Sequence, residues 1–159
     1  MERDIRFRKI DAEEFDRLKR LFPGDEELWK KYRAECVNRL MNHEMDIFVI
    51  EAEGEMVGEL TVNYVSDELQ SETIPGRRVY LAAYRVEKAR QGKGLGQRLL
   101  AYVLKEMEAR GYTEFTIGVE EDNALAKHIY FKYGFVDPID HGEGDEFDPS
   151  AYTLYLRSK

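Results

Sequence analysis

The stretch Val79–Gly111, VYLAAYRVEKARQGKGLGQRLLAYVLKEMEARG, passes from strand to helix across a turn with glycine at every second position. Val79 to Val86 reads as a strand, whereas Leu99, Val103 and Met107 recur every fourth residue and predict an amphipathic helix that stops at Gly111. Between them lie Gly92, Gly94 and Gly96. Glycine tolerates positive φ and adds no side chain, so such a turn can aim several backbone N–H groups inward. The helix that follows adds the positive end of its dipole, and a pyrophosphate placed there would be bound by neutral donors without a lysine clamp. A plain tight turn remains the competing reading of these glycines. Two other phosphate motifs do not fit, since Leu99 occupies the third-glycine position of G-x-G-x-x-G and no G-x-x-x-x-G-K-[ST] occurs.

Toward the N-terminus, Ile5–Ile10 alternates as a first strand, and Asp11 opens a helical stretch with Phe15, Leu18 and Phe22 that Pro23-Gly24 ends. Asp25 caps a second helix, expected to run to about His43, on which Leu28, Trp29, Tyr32, Cys36 and Leu40 form an apolar stripe. Ile47–Ile50 is a buried-strand run, and after a turn at Glu53-Gly54 the alternating segment Met56–Val65 completes a hairpin. There Glu59, Thr61 and Asn63 share a face predicted to be polar. Ser66–Gly76 is a connecting loop. Toward the C-terminus come a strand over Phe115–Val119, a helix from Asn123 to about Tyr133, and final strands at Phe135-Val136 and Tyr152–Leu156 around an acidic loop. The order β-α-α-β-β-β-α-β-α-β-β predicts an α/β (α+β mixed) fold, a mixed sheet with helices packed on its faces.

Length and composition bound the function. The 159 residues fit one domain, and 43% hydrophobic with 35% charged residues is ordinary for a globular chain. A net charge of −8 opposes binding to nucleic acid or anionic lipid and favours a cationic partner. No targeting segment or spanning run is read in the sequence, so the expectation is a cytoplasmic protein. The lone Cys36 forms no internal disulfide and reads as a packing residue in a reduced compartment, with a nucleophilic role as the minor alternative. His43, His128 and His141 lack metal-ligand spacing, so no metal is predicted.

Gln91-x-x-Gly94-x-Gly96 and Asn123-x-x-Ala126-x-x-Ile129-Tyr130-x-x-x-Gly134-Phe135 together resemble the two signatures of the Gcn5-related N-acetyltransferase (GNAT) family. The resemblance covers about Val79 to Phe135. It implies a single GNAT domain over residues 1–159, with a central twisted sheet of about seven strands and about four helices. It also implies acetyl-CoA as cosubstrate and transfer of its acetyl group to an amine of a small molecule or peptide.

By that resemblance, Gln91, Gly92, Lys93, Gly94, Leu95 and Gly96 hold the coenzyme, the backbone around Tyr84 and Val86 orients its pantetheine arm, and Asn123 and Lys127 lie on the coenzyme side. Tyr130 is the expected general acid, because a phenol with pKa ~10 can donate to a departing thiolate. Glu59 is the preferred general base, with water, Glu87, Glu120 and Glu121 as alternatives. Some relatives acting on protein N-termini carry Glu where this chain has Gly118, a departure that weakens that acceptor class. Glu143, Asp145, Glu146 and Asp148 read either as a field favouring a cationic acceptor or as a solvated loop. Trp29 and Tyr32 read as core or as a border of the acceptor pocket. A coenzyme-sensing module of the same fold, a longer acyl donor, and monomer or homodimer all stay open.

Overall fold

The computed structural model describes residues 4–158. Its strands are β1 (Ile5–Lys9), β2 (Met45–Ala52), β3 (Glu55–Asn63), β4 (Arg78–Val86), β5 (Glu114–Glu120), β6 (Asp137–Gly142) and β7 (Tyr152–Ser158). They form one mixed sheet in the order β1-β2-β3-β4-β5-β7-β6. The longer helices are a 3-10 helix (Ala12–Leu21), α1 (Glu26–Met41), α2 (Leu95–Ala109) and α3 (Ala124–Lys132), with short 3-10 turns at Gln70–Glu72 and Lys88–Arg90. The expected α/β class and element order are thus observed. The chain divides into two compact units, one taking in the chain to Val62 with Ala83–Glu106, the other Asn63–Ala82 with the chain from Met107.

In the first unit β1 pairs antiparallel with β2, Phe7 opposite Ile50. Phe15, Leu18, Trp29 and Cys36 bury against Ile47, Val49 and Met56. Phe15, Leu18 and Leu21 stand three residues apart, which matches the three-residue turn of a 3-10 helix and puts them on one side. Its start is fixed by Glu14, whose Oε1 accepts from the Asp11 backbone N at 3.4 Å. The α1 helix begins as expected, with the Asp25 carboxylate accepting from Leu28 N at 2.9 Å. The alternation of β3 suggested one wet face, but every residue from Met56 to Asn63 is buried. Glu59, Thr61 and Asn63 therefore form a polar row inside the protein.

In the second unit β4 runs parallel to β5 from Arg78↔Glu114 to Leu81↔Ile117, and β5 runs antiparallel to β7 along its whole length. Phe135-Val136 is not a strand. Gly134 (φ 93) donates to Phe131 O and Phe135 N donates to Tyr130 O, each at 3.0 Å, so these residues close the end of α3 in a Schellman turn. The strand starts at Asp137 instead, on the sheet's outer edge, where Pro138 has no N–H to give the ladder and the register slips between Pro138 and Asp140.

Among the described residues no helix is long and apolar enough to cross a membrane.

Candidate functional site

The glycine turn lies at the end of β4 and the start of α2. Gly92 and Gly94 both adopt left-handed φ, 81° and 79°, with open space where a Cβ would sit. Backbone conformation, not crowding, is what demands glycine there. Gly96 answers a different need, since a Cβ would come 3.2 Å from Val86 Cγ2 and 3.4 Å from the Tyr84 hydroxyl. That hydroxyl donates to Gly96 O, and Gln91 Nε2 donates to Val86 O at 2.9 Å. Both side chains tie the strand end to the helix start. Leu95 is buried and anchors the helix, whereas Gln91, Gly92, Lys93 and Gly94 are exposed. The first N–H groups of α2 have no acceptor within the helix, so the exposed turn fits an anionic group of pyrophosphate size.

The strand leading into the turn is strained. Ala83 has φ 51°, two residues after the last β4 position paired with β5. A non-glycine residue in that region costs ~1 kcal/mol or more, and its reversal of the pleat re-aims Tyr84, Arg85 and Val86.

Glu59 on β3 is 2% exposed. Burial pushes its carboxyl from an ordinary 4.5 up to about 7, and the Arg85 guanidinium pulls only part of the way back. Arg85 Nη1 lies 3.4 Å from Glu59 Oε2, and the guanidinium sits over the rings of Tyr32 (5.7 Å) and Phe22 (5.8 Å). Tyr32, pushed above the ordinary phenol range mainly by burial, shares a hydrogen bond with Arg85. Tyr32 and Phe22 stack at 4.9 Å, and Phe22 packs on Trp29 at 5.5 Å. Trp29 is a core residue, while Tyr32 joins the charged cluster. Sequence reasoning used only the backbone at Arg85 and missed its side chain. The available signal was one acid and one base on the two strands, Glu59 within β3 and Arg85 near the end of β4.

In the second unit Asn123 Oδ1 accepts from Ala126 N at 3.0 Å and so caps α3. Lys127 is exposed and lies over the rings of Phe131 (5.7 Å) and Tyr155 (5.9 Å). Tyr130 packs edge-on against Phe135, and burial pushes its phenol up to about 12. It therefore carries its proton at neutral pH. At Gly118 an added Cβ would sit 2.8 Å from Tyr152 Cδ2. The Tyr152 ring occupies the space that a longer side chain would need.

In the loop before β7, Asp145 Oδ1 accepts from Phe147 N and Asp148 N, each at 2.9 Å, and Glu68 Oε2 accepts from the backbone of Glu143 and Gly144. Asp145 thus shapes the loop. Glu87, one of the alternative bases, pairs with Arg20 at 2.7 Å. Cys36 is buried and its thiol is pushed up to about 12, chiefly by that burial, which leaves it a packing residue at neutral pH. Among the described residues no cluster of three or more His, Cys, Asp and Glu is placed to hold a metal ion.

The profile of the acetyltransferase (GNAT) family matches residues 7–135. The chain belongs to that family. This GNAT chain is 24% identical over 172 residues to the chloroplastic GCN5-related N-acetyltransferase 6 of Arabidopsis thaliana, an alignment covering 95% of this chain. It spans 56% of that relative's length. Its fold is shared with PaiA N-acetyltransferase from Thermoplasma acidophilum, crystallised with coenzyme A (TM-score 0.66, 16% identity, 98% of this chain and 99% of that one). A GNAT acetyltransferase from Elizabethkingia anophelis with acetyl-CoA bound is similar to the same degree (TM-score 0.67, 16% identity, 98% and 99%).

Proposed function

We propose that this protein transfers the acetyl group of acetyl-CoA to an amine by direct attack in a ternary complex, its 159 residues acting as one catalytic domain. The observation that carries the reading is the pair of left-handed glycines, Gly92 and Gly94, directly ahead of α2. They leave main-chain donors and the helix dipole facing outward with no side chain in the way. Binding of coenzyme A or acetyl-CoA by relatives of the same fold supports that use of the turn.

The cosubstrate supplies a thioester, whose acyl carbon takes the amine and whose sulfur departs as a thiol. The backbone from Gly92 to Gly96 holds the pyrophosphate, and Gln91, through Val86 O, keeps that backbone in shape. The main chain at Tyr84–Val86 orients the pantetheine arm, and one N–H near Val86 polarises the thioester carbonyl, a donor typically worth ~3 kcal/mol. Lys93, Asn123 and Lys127 complete the coenzyme side. Glu59 takes a proton from the incoming ammonium, for which a carboxyl near 7 is suited at neutral pH. Tyr130 gives its proton to the sulfur. The acceptor is a small-molecule or peptide amine, and the setting is the cytoplasm; a net charge of −8 disfavours nucleic acid and anionic lipid.

The test joins calorimetry with acetyl-CoA and free CoA to a thiol-release assay over amino acids, polyamines, aminoglycosides and peptides. Saturable binding with acceptor-dependent thiol release is expected, and acetyl-CoA is expected to outpace propionyl- and succinyl-CoA. Binding without release would mark a coenzyme-sensing module. Absence of any binding heat would remove the reading.

A further inference from the structure

Arg85 is held differently from Arg8, Arg78 and Arg157, three other half-buried arginines. Arg8 makes contacts of 2.6, 3.0 and 3.0 Å with Glu14 and Glu51. Arg78 is fixed by Glu114 at 2.8 Å and Ser71 O at 2.9 Å, and Arg157 by Glu108 and Tyr133 O, both at 2.9 Å. Their side chains are 28%, 15% and 21% exposed, and that of Arg85 is 22%. At comparable exposure, then, each of these three is held by two or more oxygens at 3.0 Å or closer, while Arg85 has one long contact to Glu59 and a share in the Tyr32 hydroxyl. A guanidinium offers five N–H donors in a rigid fork. Among the described residues nothing else accepts from this one. Two aromatic faces hold it in place without using its donors.

A preorganised guanidinium with spare donors beside a buried carboxyl is complementary to a molecule carrying both an amine and an acid. We propose that Arg85 binds a carboxylate of the acceptor while Glu59 receives its amine, making the acceptor a free α-amino acid. The inference rests on the acetyl-transfer reading and narrows its acceptor. Glu59 and Arg85 are in contact, so the two acceptor groups must sit close together, as they do on the single α-carbon of an amino acid. The stacked rings of Phe22 and Tyr32 offer an apolar wall for its side chain. A polyamine is disfavoured, because a second ammonium would approach Arg85 with like charge in a poorly solvated place.

The experiment compares acceptors that differ only in the carboxylate, such as phenylalanine with phenethylamine and lysine with cadaverine, in wild-type protein. At least ~10-fold higher kcat/KM is expected for the amino acid, in line with a charge-assisted hydrogen bond. Arg85→Met is expected to bring the ratio near one by raising KM for the amino acid, with CoA affinity unchanged, and Arg85→Lys to restore part of it. Calorimetric titration of the same pairs into the CoA-saturated protein reads the preference without turnover. Equal or better use and binding of the decarboxylated amines would overturn the assignment while leaving acetyl transfer intact. No release with any acceptor, with the amino acid still bound in preference to its amine, would instead overturn the transfer reading and keep the site.

Discussion

Replacing Glu59 by Gln tests the proton-transfer step where the structure commits itself most. The carboxyl has an ordinary value of 4.5 and stands at about 7 in its buried place. It is then ~10% ionised at pH 6 and ~90% at pH 8. With saturating acetyl-CoA and subsaturating acceptor, kcat/KM should climb about tenfold per pH unit below 7 and flatten above it. The amide keeps the shape of the side chain and cannot take a proton, so at pH 8 the rate should fall by ~10²–10⁴-fold and the bend near 7 should vanish. Arg85 supplies an independent check, because its charge lowers the Glu59 carboxyl. Arg85→Met should move the bend alkaline, not acid. Stability follows the same titration. A carboxyl raised on folding contributes fully below pH 4.5, and that contribution is lost as pH rises through 7. The difference of about 2.5 units corresponds to ~3 kcal/mol at most, and urea melts of wild type against Glu59→Gln between pH 5 and 8 would read it. If the bend near 7 persists in the Gln variant, or its rate stays within threefold of wild type, Glu59 is not the base.

Tyr130→Phe should lower kcat at least ~10-fold and leave CoA affinity within about twofold, as calorimetry and initial rates would show, since the phenol is protonated and acts late. Gly94→Ala meets no steric obstacle but forces alanine to φ 79°, which costs ~1–2 kcal/mol; weaker CoA binding with a lower Tm is expected, and unchanged binding would contradict the turn's role. Glu14, lowered to about 2 chiefly by its hydrogen bond with Arg8, contributes stability above pH 4.5 that is lost as pH falls toward 2. Glu14→Gln should therefore flatten the acid side of the stability curve while leaving the alkaline side as in wild type.

How much of this could be read beforehand depended on whether the cause was local. The turn at Gly92–Gly96, the Asp25 and Asn123 caps and the strand of Ile47–Ile50 are set by residues a few positions apart, and each stands where the sequence put it. Spacing also carries the helix type, for Phe15, Leu18 and Leu21 repeat in threes and the element is a 3-10 helix. Phe135-Val136 misled because two apolar residues after a glycine look like a strand start, when Phe135 in fact seals the helix behind it through its N–H to Tyr130 O.

The site was legible in its parts and not in its chemistry. Glu59 could be nominated from alternation along β3, but alternation implies solvent on one side, and a solvated carboxylate has no reason to titrate near neutrality. What raises it is burial inside the folded protein, together with the incomplete compensation offered by Arg85, which lies on another strand. That compensation in turn hangs on Ala83, whose left-handed φ interrupts β4 just before Tyr84, Arg85 and Val86. An alanine in an apolar strand gives no warning of such strain. A single backbone distortion thus bears at once on the segment proposed to orient the coenzyme arm and on the guanidinium beside the proposed base. Relaxing it with Ala83→Gly should change the coenzyme KM and the Glu59 pH bend together, whereas independent responses would mean that the two sides of the reaction are built separately.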